Sequence, residues 1–383
     1  MVELSPQAIA ARRQRLARVR DRMAELGVDA LFLSHGADLP WLTGYRAMPL
    51  ERLTVLVVRA DPDEEPVLFV PALEAPRVPE AGGLFRLRPW RETEDPVELA
   101  AAAASGSGGV RACAVSDRTW AVSLLALQAR LRAARWMAAS TVTSPLRAVK
   151  DAAELEVLRA AGAAADRVAG ALQRGDIALI GRHEADVAAE ISRRLLAEGH
   201  AQVNFAIVGS GPNAASPHHE PTDRRIGRGE TVVCDFGGVL ALPGDVGYCS
   251  DITRTVVTGA PSAEVAHCYA VLLDAQRAAV GAARAGATAE HVDATARHVI
   301  AEAGLGERFV HRTGHGIGLE EHEDPYLVSG NTAVLQPGHA FSVEPGIYLP
   351  GRFGMRLEDI VVVTDEGPEL LNHADHSLVV VDA

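Results

Sequence analysis

Along residues 6–26, Arg12, Arg13, Arg15, Arg18 and Arg20 interleave with Leu16, Val19, Met23 and Leu26. That spacing predicts a surface helix carrying one apolar stripe. Short apolar runs follow at Ala30–Leu33, Thr54–Val58 and Val67–Val70, the last closed by Pro71. Runs of this length between turn residues predict strands. The alanine-rich stretch 99–104 and the Gly/Ser-rich stretch 105–109 read as a helix end and its loop. This alternation of helix and strand patterns predicts a mixed α/β layer. Val142 to Pro145 then leads into Arg147-Ala-Val-Lys-Asp151, where a long helix starts. The domain boundary is placed there, giving an N-terminal α/β domain over 1–146 and a second domain over 147–383.

Beyond residue 150 the pattern repeats. Helices at about 151–173 and 184–198 precede strands, and helices at about 262–284 and 289–303 precede strands again. The strands carry the sharper echo. Gly229 is followed at +6 by Asp235 and at +8 by Gly237, and Gly338 at +6 by Glu344 and at +8 by Gly346. Each half then returns a second acid on a β-branched strand, Asp251 before Ile-Thr-Arg-Thr-Val-Val and Glu358 before Asp-Ile-Val-Val-Val. One such match arises easily by chance; both, with the helices in the same order, do not. An internal pseudo-twofold duplication brings four carboxylates to a shared axis.

Carboxylates on adjacent antiparallel strands share a face when they lie opposite one another. Asp235 and Asp251 are 16 positions apart, so direct opposition needs a connection of odd length. Ala241-Leu-Pro-Gly-Asp245 supplies the chemistry of a type II turn. Four acids buried without partners would cost several kcal/mol each. Divalent cations relieve that cost, and oxygen-rich sites with one imidazole suit Mn²⁺, Co²⁺, Fe²⁺ or Zn²⁺. The imidazole candidate is His315, within His311-Arg-Thr-Gly-His-Gly-Ile-Gly318, whose glycines allow close backbone approach. Taken singly, each acid is better read as a surface loop residue and His315 as a cap or core histidine. Taken together with the duplication, the metal reading prevails.

Composition narrows the function. The 383 residues suffice for two domains with a large core, and the hydrophobic share of 48% is that of a globular chain. A net charge of −13 argues against nucleic acid as a partner. No apolar run reaches the length of a membrane span and no secretory segment is evident, so a cytoplasmic protein without membrane contact is expected. Cys113, Cys234, Cys249 and Cys268 show no CxxC pairing and are read as small buried hydrophobes. Lys150 is the single lysine among 37 basic residues, read as a bias toward arginine codons.

Six segments carry a family resemblance: Pro217-His-His-Glu-Pro-Thr-Asp-Arg224, Asp235-Phe-Gly237, Gly247-Tyr-Cys-Ser-Asp-Ile-Thr-Arg-Thr255, Thr313-Gly-His-Gly-Ile-Gly318, Ser342-Val-Glu-Pro-Gly-Ile-Tyr348 and Arg356-Leu-Glu-Asp359. They resemble the pita-bread metallopeptidases, most closely the proline-specific branch of Xaa-Pro dipeptidases (prolidases) and aminopeptidases P. Leu39-Pro-Trp-Leu-Thr-Gly44 extends the likeness, more loosely, into the N-terminal domain. The resemblance implies an α+β chain: a C-terminal pita-bread domain with internal duplication, preceded by a smaller domain of the creatinase/prolidase N-terminal type. It implies that Asp235, Asp251, His315, Glu344 and Glu358 hold two divalent ions, with Mn²⁺ preferred and Co²⁺, Zn²⁺ or Fe²⁺ as alternatives. His218 and His322 match the family's two substrate-side histidines, and Glu344 is expected to shuttle a proton. His311 and Arg356 match positions that line or brace the substrate pocket, and Arg356 suits a salt bridge beside Glu358 equally well. Proline-containing di- or oligopeptides are the implied substrates and a homodimer the implied assembly. A dipeptidase is the leaning; aminopeptidase P or a non-peptidase relative of the ectoine-hydrolase kind are the alternatives. The family's spacing between the two aspartates is shorter than the 16 positions here, which leaves Asp245 as a competitor to Asp251 for second ligand. Asp251, in the intact Ser-Asp-Ile-Thr-Arg-Thr context, is preferred.

Overall fold

The computed structural model describes residues 4–106 and 109–382. Ser107 and Gly108, inside the stretch read as a loop, lie outside the described residues. Two compact units divide the chain: Met1–Arg147 with Leu242–Val246, and Ala148–Ala241 with Gly247–Ala383.

The first unit opens with α1 (Pro6–Leu26), whose N-cap Ser5 accepts the Ala8 amide and whose C-cap Gly27 turns left-handed at φ 62°. Then come β1 (Ala30–Leu33), α2 (Asp38–Thr43), β2 (Val55–Arg59), β3 (Val67–Pro71), β4 (Arg86–Trp90) and α3 (Pro96–Ser105). β5 (Ala112–Val115), α4 (Ala121–Arg130), β6 (Arg135–Ala138) and α5 (Ser140–Ala148) complete the run. The six strands form one mixed sheet, ordered β4-β3-β2-β1-β5-β6. Ala100, Ala104 and Leu127 of α3 and α4 pack against Phe32, Val55 and Val57 of that sheet.

The stripe on α1 departs from the expected one. Its buried positions are Ala8, Arg12, Arg15, Val19 and Met23, while Leu16 and Leu26 are only half-buried. Arginines occupy a buried face because several of their donors, though not Arg12 Nε, find acceptors there. Arg12 donates to the Ala8 carbonyl at 3.0 Å and to Asp245 at 2.6 Å, and Arg15 donates to the Trp41 carbonyl at 3.1 Å. Its guanidinium also lies 5.7 Å from the Trp41 ring centre.

In the second unit, α6 (Ala152–Gln173) starts at a capping box formed by Asp151 and Glu154. α7 (Glu184–Ala197), β7 (His200–Ser210), β8 (Thr231–Leu240) and β9 (Tyr248–Val257) complete the first half. The second half repeats it with α8 (Ala263–Ala282), α9 (Ala289–Glu302), β10 (Gly314–Gly316), β11 (Glu323–Leu327) and β12 (Ala340–Val343). β13 (Gly346–Leu349), β14 (Phe353–Arg356), β15 (Asp359–Val363), β16 (Pro368–Leu370) and β17 (Val379–Val380) close the chain. β17-β9-β8-β7 form one sheet, β11-β10-β12-β15-β16 another, and β13-β14 a separate hairpin.

The duplication is visible in the backbone. Gly229 and Gly338 both take positive φ, 78° and 94°. Each donates its amide to a carbonyl at the end of the returning strand, Gly229 to Thr258 and Gly338 to Val363. These are the conformations glycine adopts without a Cβ penalty, which is why the echo falls on glycine.

All four cysteines are buried and free. Burial pushes the Cys113 thiol up to about 12 and raises Cys234 too, so neither is poised as a thiolate. Among the described residues no helix is long and apolar enough to cross a membrane.

Candidate metal centre

Alternation along the strands delivers the acids to one place. On β8, Val232, Cys234 and Phe236 belong to the core formed with α6 and α7, so Asp235 faces the other way. On β9, Ile252 and Val256 join the same core, leaving Asp251 and Thr253 on the opposite face. The register pairs Gly237 with Asp251 and Asp235 with Thr253. The two aspartates are thus diagonal neighbours on one face rather than directly opposed. Pairing runs without a bulge out to Leu240 and Tyr248, and residues 241–247 make the turn. The long hairpin therefore preserves the face. Its tip is the expected type II turn: Asp245 donates its amide to the Leu242 carbonyl at 3.2 Å, and Gly244 sits at φ 78°. Asp245 itself is engaged by Arg12.

The second half repeats the logic. Phe341 and Val343 on β12 and Val361 and Val363 on β15 enter the core under α8 and α9. The last registered pair is Val343 with Asp359, so Glu344 and Glu358 lie just beyond the paired ends. Glu358 accepts the Thr253 hydroxyl at 2.7 Å, and Glu344 accepts the Ser342 hydroxyl at 3.2 Å.

His315 completes the cluster. Ligand atoms of Asp251, His315 and Glu358 all lie within 4.8 Å of one another, and all three residues are buried. Nδ1 of His315 is 3.1 Å from the Gly316 carbonyl, which only accepts, so Nδ1 carries the ring proton. Its Nε2 lone pair then faces Glu344 Oε1 at 3.3 Å and Asp251 Oδ2 at 3.7 Å. Burial, with His322 beside it, holds the imidazole down to about 3, so a second proton does not fill that gap. Buried Oδ1 atoms of Asp235 and Asp251 have no hydrogen-bond partner either. Burial raises Asp251 and Glu358 well above the ordinary carboxylate range, reinforced by the neighbouring acids, and raises Glu344 to about 7. Lone pairs converging on lone pairs, with orphaned oxygens around them, fit divalent cations. A bound cation reverses the sign of each interaction.

Asp235, Asp251, His315, Glu344, Glu358, His218, His311, His322 and Arg356 all line one cavity of about 540 Å³. His218 and His322 are the exposed histidines of the set. The His322 ring centre lies 4.0 Å from that of His315. Nη2 of Arg312 sits 3.2 Å from His322 Nδ1 and can only donate, which leaves Nε2–H as the donor of His322. Partial desolvation at the cavity wall and Arg312 lower the His322 pKa, favouring the neutral ring.

His311 and Arg356 serve the frame. Nδ1 of His311 donates to the Arg312 carbonyl at 2.7 Å and Nε2 accepts from the Tyr348 hydroxyl at 2.9 Å. Tyr348 in turn accepts Arg356 Nη1 at 2.8 Å. Arg356 also donates to Asp235 at 2.6 Å, to Thr253 at 3.1 Å and to the Pro217 carbonyl at 3.1 Å. Its ion pairs are therefore with Asp235 and, at 4.0 Å, with Glu344. With so many N–H groups engaged, Arg356 holds Asp235 in place while lining the cavity.

Sequence reasoning missed several supports. Tyr348, Thr253 and Arg312 stood inside the quoted motifs without an assigned role. Glu184 was unmarked, yet its fully buried carboxylate accepts from Ser210, Asn213, His219 and Thr222. His219 is the neighbour of His218, so Glu184 anchors the loop that presents His218. Asp293 acts similarly on the other side, accepting the Thr313 amide at 3.0 Å and its hydroxyl at 2.7 Å. An acid early in an amphipathic helix carries no distinguishing signal.

A duplicated α+β domain, with acids from both halves and one histidine around a single cavity, defines a pita-bread metallohydrolase. The family model described as metallopeptidase family M24 matches residues 156–365, and that of the creatinase/prolidase N-terminal domain matches 15–149. The chain is 46% identical over 371 residues to the "Probable dipeptidase PepE" of Mycobacterium tuberculosis, covering 96% of each. It is 35% identical over 368 residues to the "Xaa-Pro dipeptidase" of Lactobacillus helveticus, covering 92% of this chain and 95% of the relative. The crystal structure of dipeptidase PepE from Mycobacterium ulcerans superposes with a TM-score of 0.89 at 46% identity, covering 97% and 98% of the two chains. The protein belongs to metallopeptidase family M24, with a creatinase-type N-terminal domain.

Proposed function

We propose that this chain is an Xaa-Pro dipeptidase, with Asp235, Asp251, His315, Glu344 and Glu358 holding two divalent ions, Mn²⁺ by preference. The observation that carries the reading is the convergence of those five side chains with His218 and His322 on one cavity. The likeness to the M. tuberculosis dipeptidase supports dipeptide substrates, and that to the L. helveticus Xaa-Pro dipeptidase supports the Xaa-Pro bond. When bound, such ions polarise a carbonyl oxygen and acidify water to near-neutral pKa. The chain's own groups do the rest. His322, neutral and holding its proton on Nε2, donates to the oxygen of the scissile carbonyl as negative charge develops there. Glu344, with 15% side-chain exposure and lining the cavity, accepts and returns a proton. His218 contacts the substrate beside the scissile bond. Proline lacks an amide N–H and has a fixed φ, so a pocket shaped for it gains from rigidity.

Aminopeptidase P activity is the second reading, favoured by one observation: Arg356 is spent on Asp235, Tyr348, Thr253 and Pro217. A dipeptide's carboxylate therefore needs another partner. The kcat/KM values for Ala-Pro, Ala-Pro-Ala and Ala-Ala test the assignment. Ala-Pro is expected to lead; a strong preference for Ala-Pro-Ala moves the assignment to aminopeptidase P, and activity on neither removes the peptidase reading. The homodimer belongs to the same proposal and is read by sedimentation.

A further inference from the structure

The one lysine of the chain stands where an arginine does not fit. Lys150 is the single lysine among 37 basic residues, so the arginine bias that governs the rest of the sequence fails at this position alone. Its side chain is 1% exposed. Nζ donates to Glu323 Oε1 at 2.7 Å and approaches the Ala148 carbonyl at 3.4 Å. The main chain at this position is fixed too: the Lys150 amide donates to the Gly338 carbonyl at 2.8 Å, and a Cβ on Gly338 would lie 2.8 Å from the Lys150 carbonyl oxygen. A guanidinium would bring a wider planar fork with five donors to a site that presents one carboxylate oxygen and one carbonyl. A compact ammonium matches it.

Gly318 leaves room for the same carboxylate oxygen. A Cβ on Gly318 would lie 2.4 Å from Glu323 Oε1, so the glycine lets the carboxylate pass close to the backbone. Glu323 begins β11, and His322 is the residue before it. Glu323 turns inward onto Lys150, while His322, in the bend just before it, lines the cavity 4.0 Å from His315 between ring centres. His322 has little else to hold it, being exposed and tethered through Arg312.

We infer that Lys150 is a positioning residue, whose ion pair with Glu323 fixes the start of β11 so that His322 faces the reacting carbonyl. The catalytic consequence rests on the role proposed for His322; the geometric one does not.

The test uses the full-length, metal-loaded protein with Lys150→Met, Lys150→Arg, Glu323→Gln, His322→Ala and the double variant Lys150→Met/His322→Ala. Lys150→Met and Glu323→Gln are expected to lower kcat on Ala-Pro by up to about 10²-fold, the scale of a misplaced group, with metal content unchanged and KM little moved. Lys150→Arg is expected not to rescue. In the double variant the loss should not exceed that of His322→Ala alone, because the strut acts through that ring. Full kcat in Lys150→Met beside a defective His322→Ala, or losses that multiply, overturns the inference. Glu323→Gln, nearly isosteric, carries the same expectation should Lys150→Met not fold. A second arm needs no substrate and uses diamagnetic Zn²⁺-loaded protein: the imidazole resonance of His322, identified by its absence in His322→Ala, should move or broaden in Lys150→Met and Glu323→Gln. An unchanged resonance overturns the inference. A parent protein inactive on both Ala-Pro and Ala-Pro-Ala sinks the functional reading alone, and the resonance still decides the positioning.

Discussion

Nε2 of His315 lies 3.3 Å from Oε1 of Glu344 with its lone pair turned toward that carboxylate, because the ring proton is committed to the Gly316 carbonyl. Protons and metal ions therefore compete for the same atoms.

That competition fixes the sign of a pH effect. In the metal-free chain Asp251, Glu358 and Glu344 have raised pKa values, the last about 7. A raised carboxyl pKa stabilises the fold while protonated, fully below the ordinary range near 4, and that stabilisation is lost as pH rises through the raised value, about 7 for Glu344. Metal binding requires the deprotonated forms. The gain in melting temperature on adding Mn²⁺ to chelator-treated protein should therefore grow from pH 5 to pH 8. A gain that is flat or largest at pH 5 contradicts it.

Asp251→Asn and Glu358→Gln should abolish turnover with the fold intact, since the amides are nearly isosteric. Each also removes one charge from a buried cluster of acids. The metal-free variants are therefore expected to melt above the metal-free parent at pH 8, by an amount worth about 1–3 kcal/mol. Thermal unfolding with chelator present checks this; lower melting temperatures would show that the acids do not repel.

Asp245→Asn should behave in the opposite way. Asp245 pairs with fully buried Arg12 and keeps 17% exposure, so losing the charge should cost about 1–3 kcal/mol, less than for a fully buried pair. Metal content and kcat should stay near those of the parent. Denaturant midpoints and metal analysis read the two separately, and loss of metal would reopen Asp245 as a ligand.

His322→Ala should lower kcat by about 10²–10³-fold with a smaller effect on KM, as removal of an oxyanion donor does. Arg356→Lys should lower activity by loosening Asp235, yet leave the Ala-Pro to Ala-Pro-Ala ratio of kcat/KM unchanged, because Arg356 braces the frame. A selective loss of dipeptide activity would restore it as the carboxylate clamp.

The fold was largely legible. Helix and strand positions followed from period and punctuation, and the pairing of Gly229 with Gly338 reported a duplication that the backbone repeats. The gathering of the acids was legible too, because strand alternation with an apolar core on one face leaves Asp235 and Asp251 on the other. What escaped depends on partners far away in the chain. Arg12 reads as a surface residue until Asp245 arrives across 233 positions, and Lys150 reads as codon noise until Glu323 arrives across 173. Tautomers escape in the same way: the ring states of His315 and His322 are set by the Gly316 carbonyl and by Arg312, neither of which announces itself in composition.

Crystals soaked in Mn²⁺ and measured at the manganese absorption edge address the central claim most directly. The account expects two anomalous peaks per chain, in the 540 Å³ cavity, within ligand distance of Asp235, Asp251, His315, Glu344 and Glu358. Peaks confined to other sites, or none in this cavity at Mn²⁺ concentrations that support turnover, would contradict it.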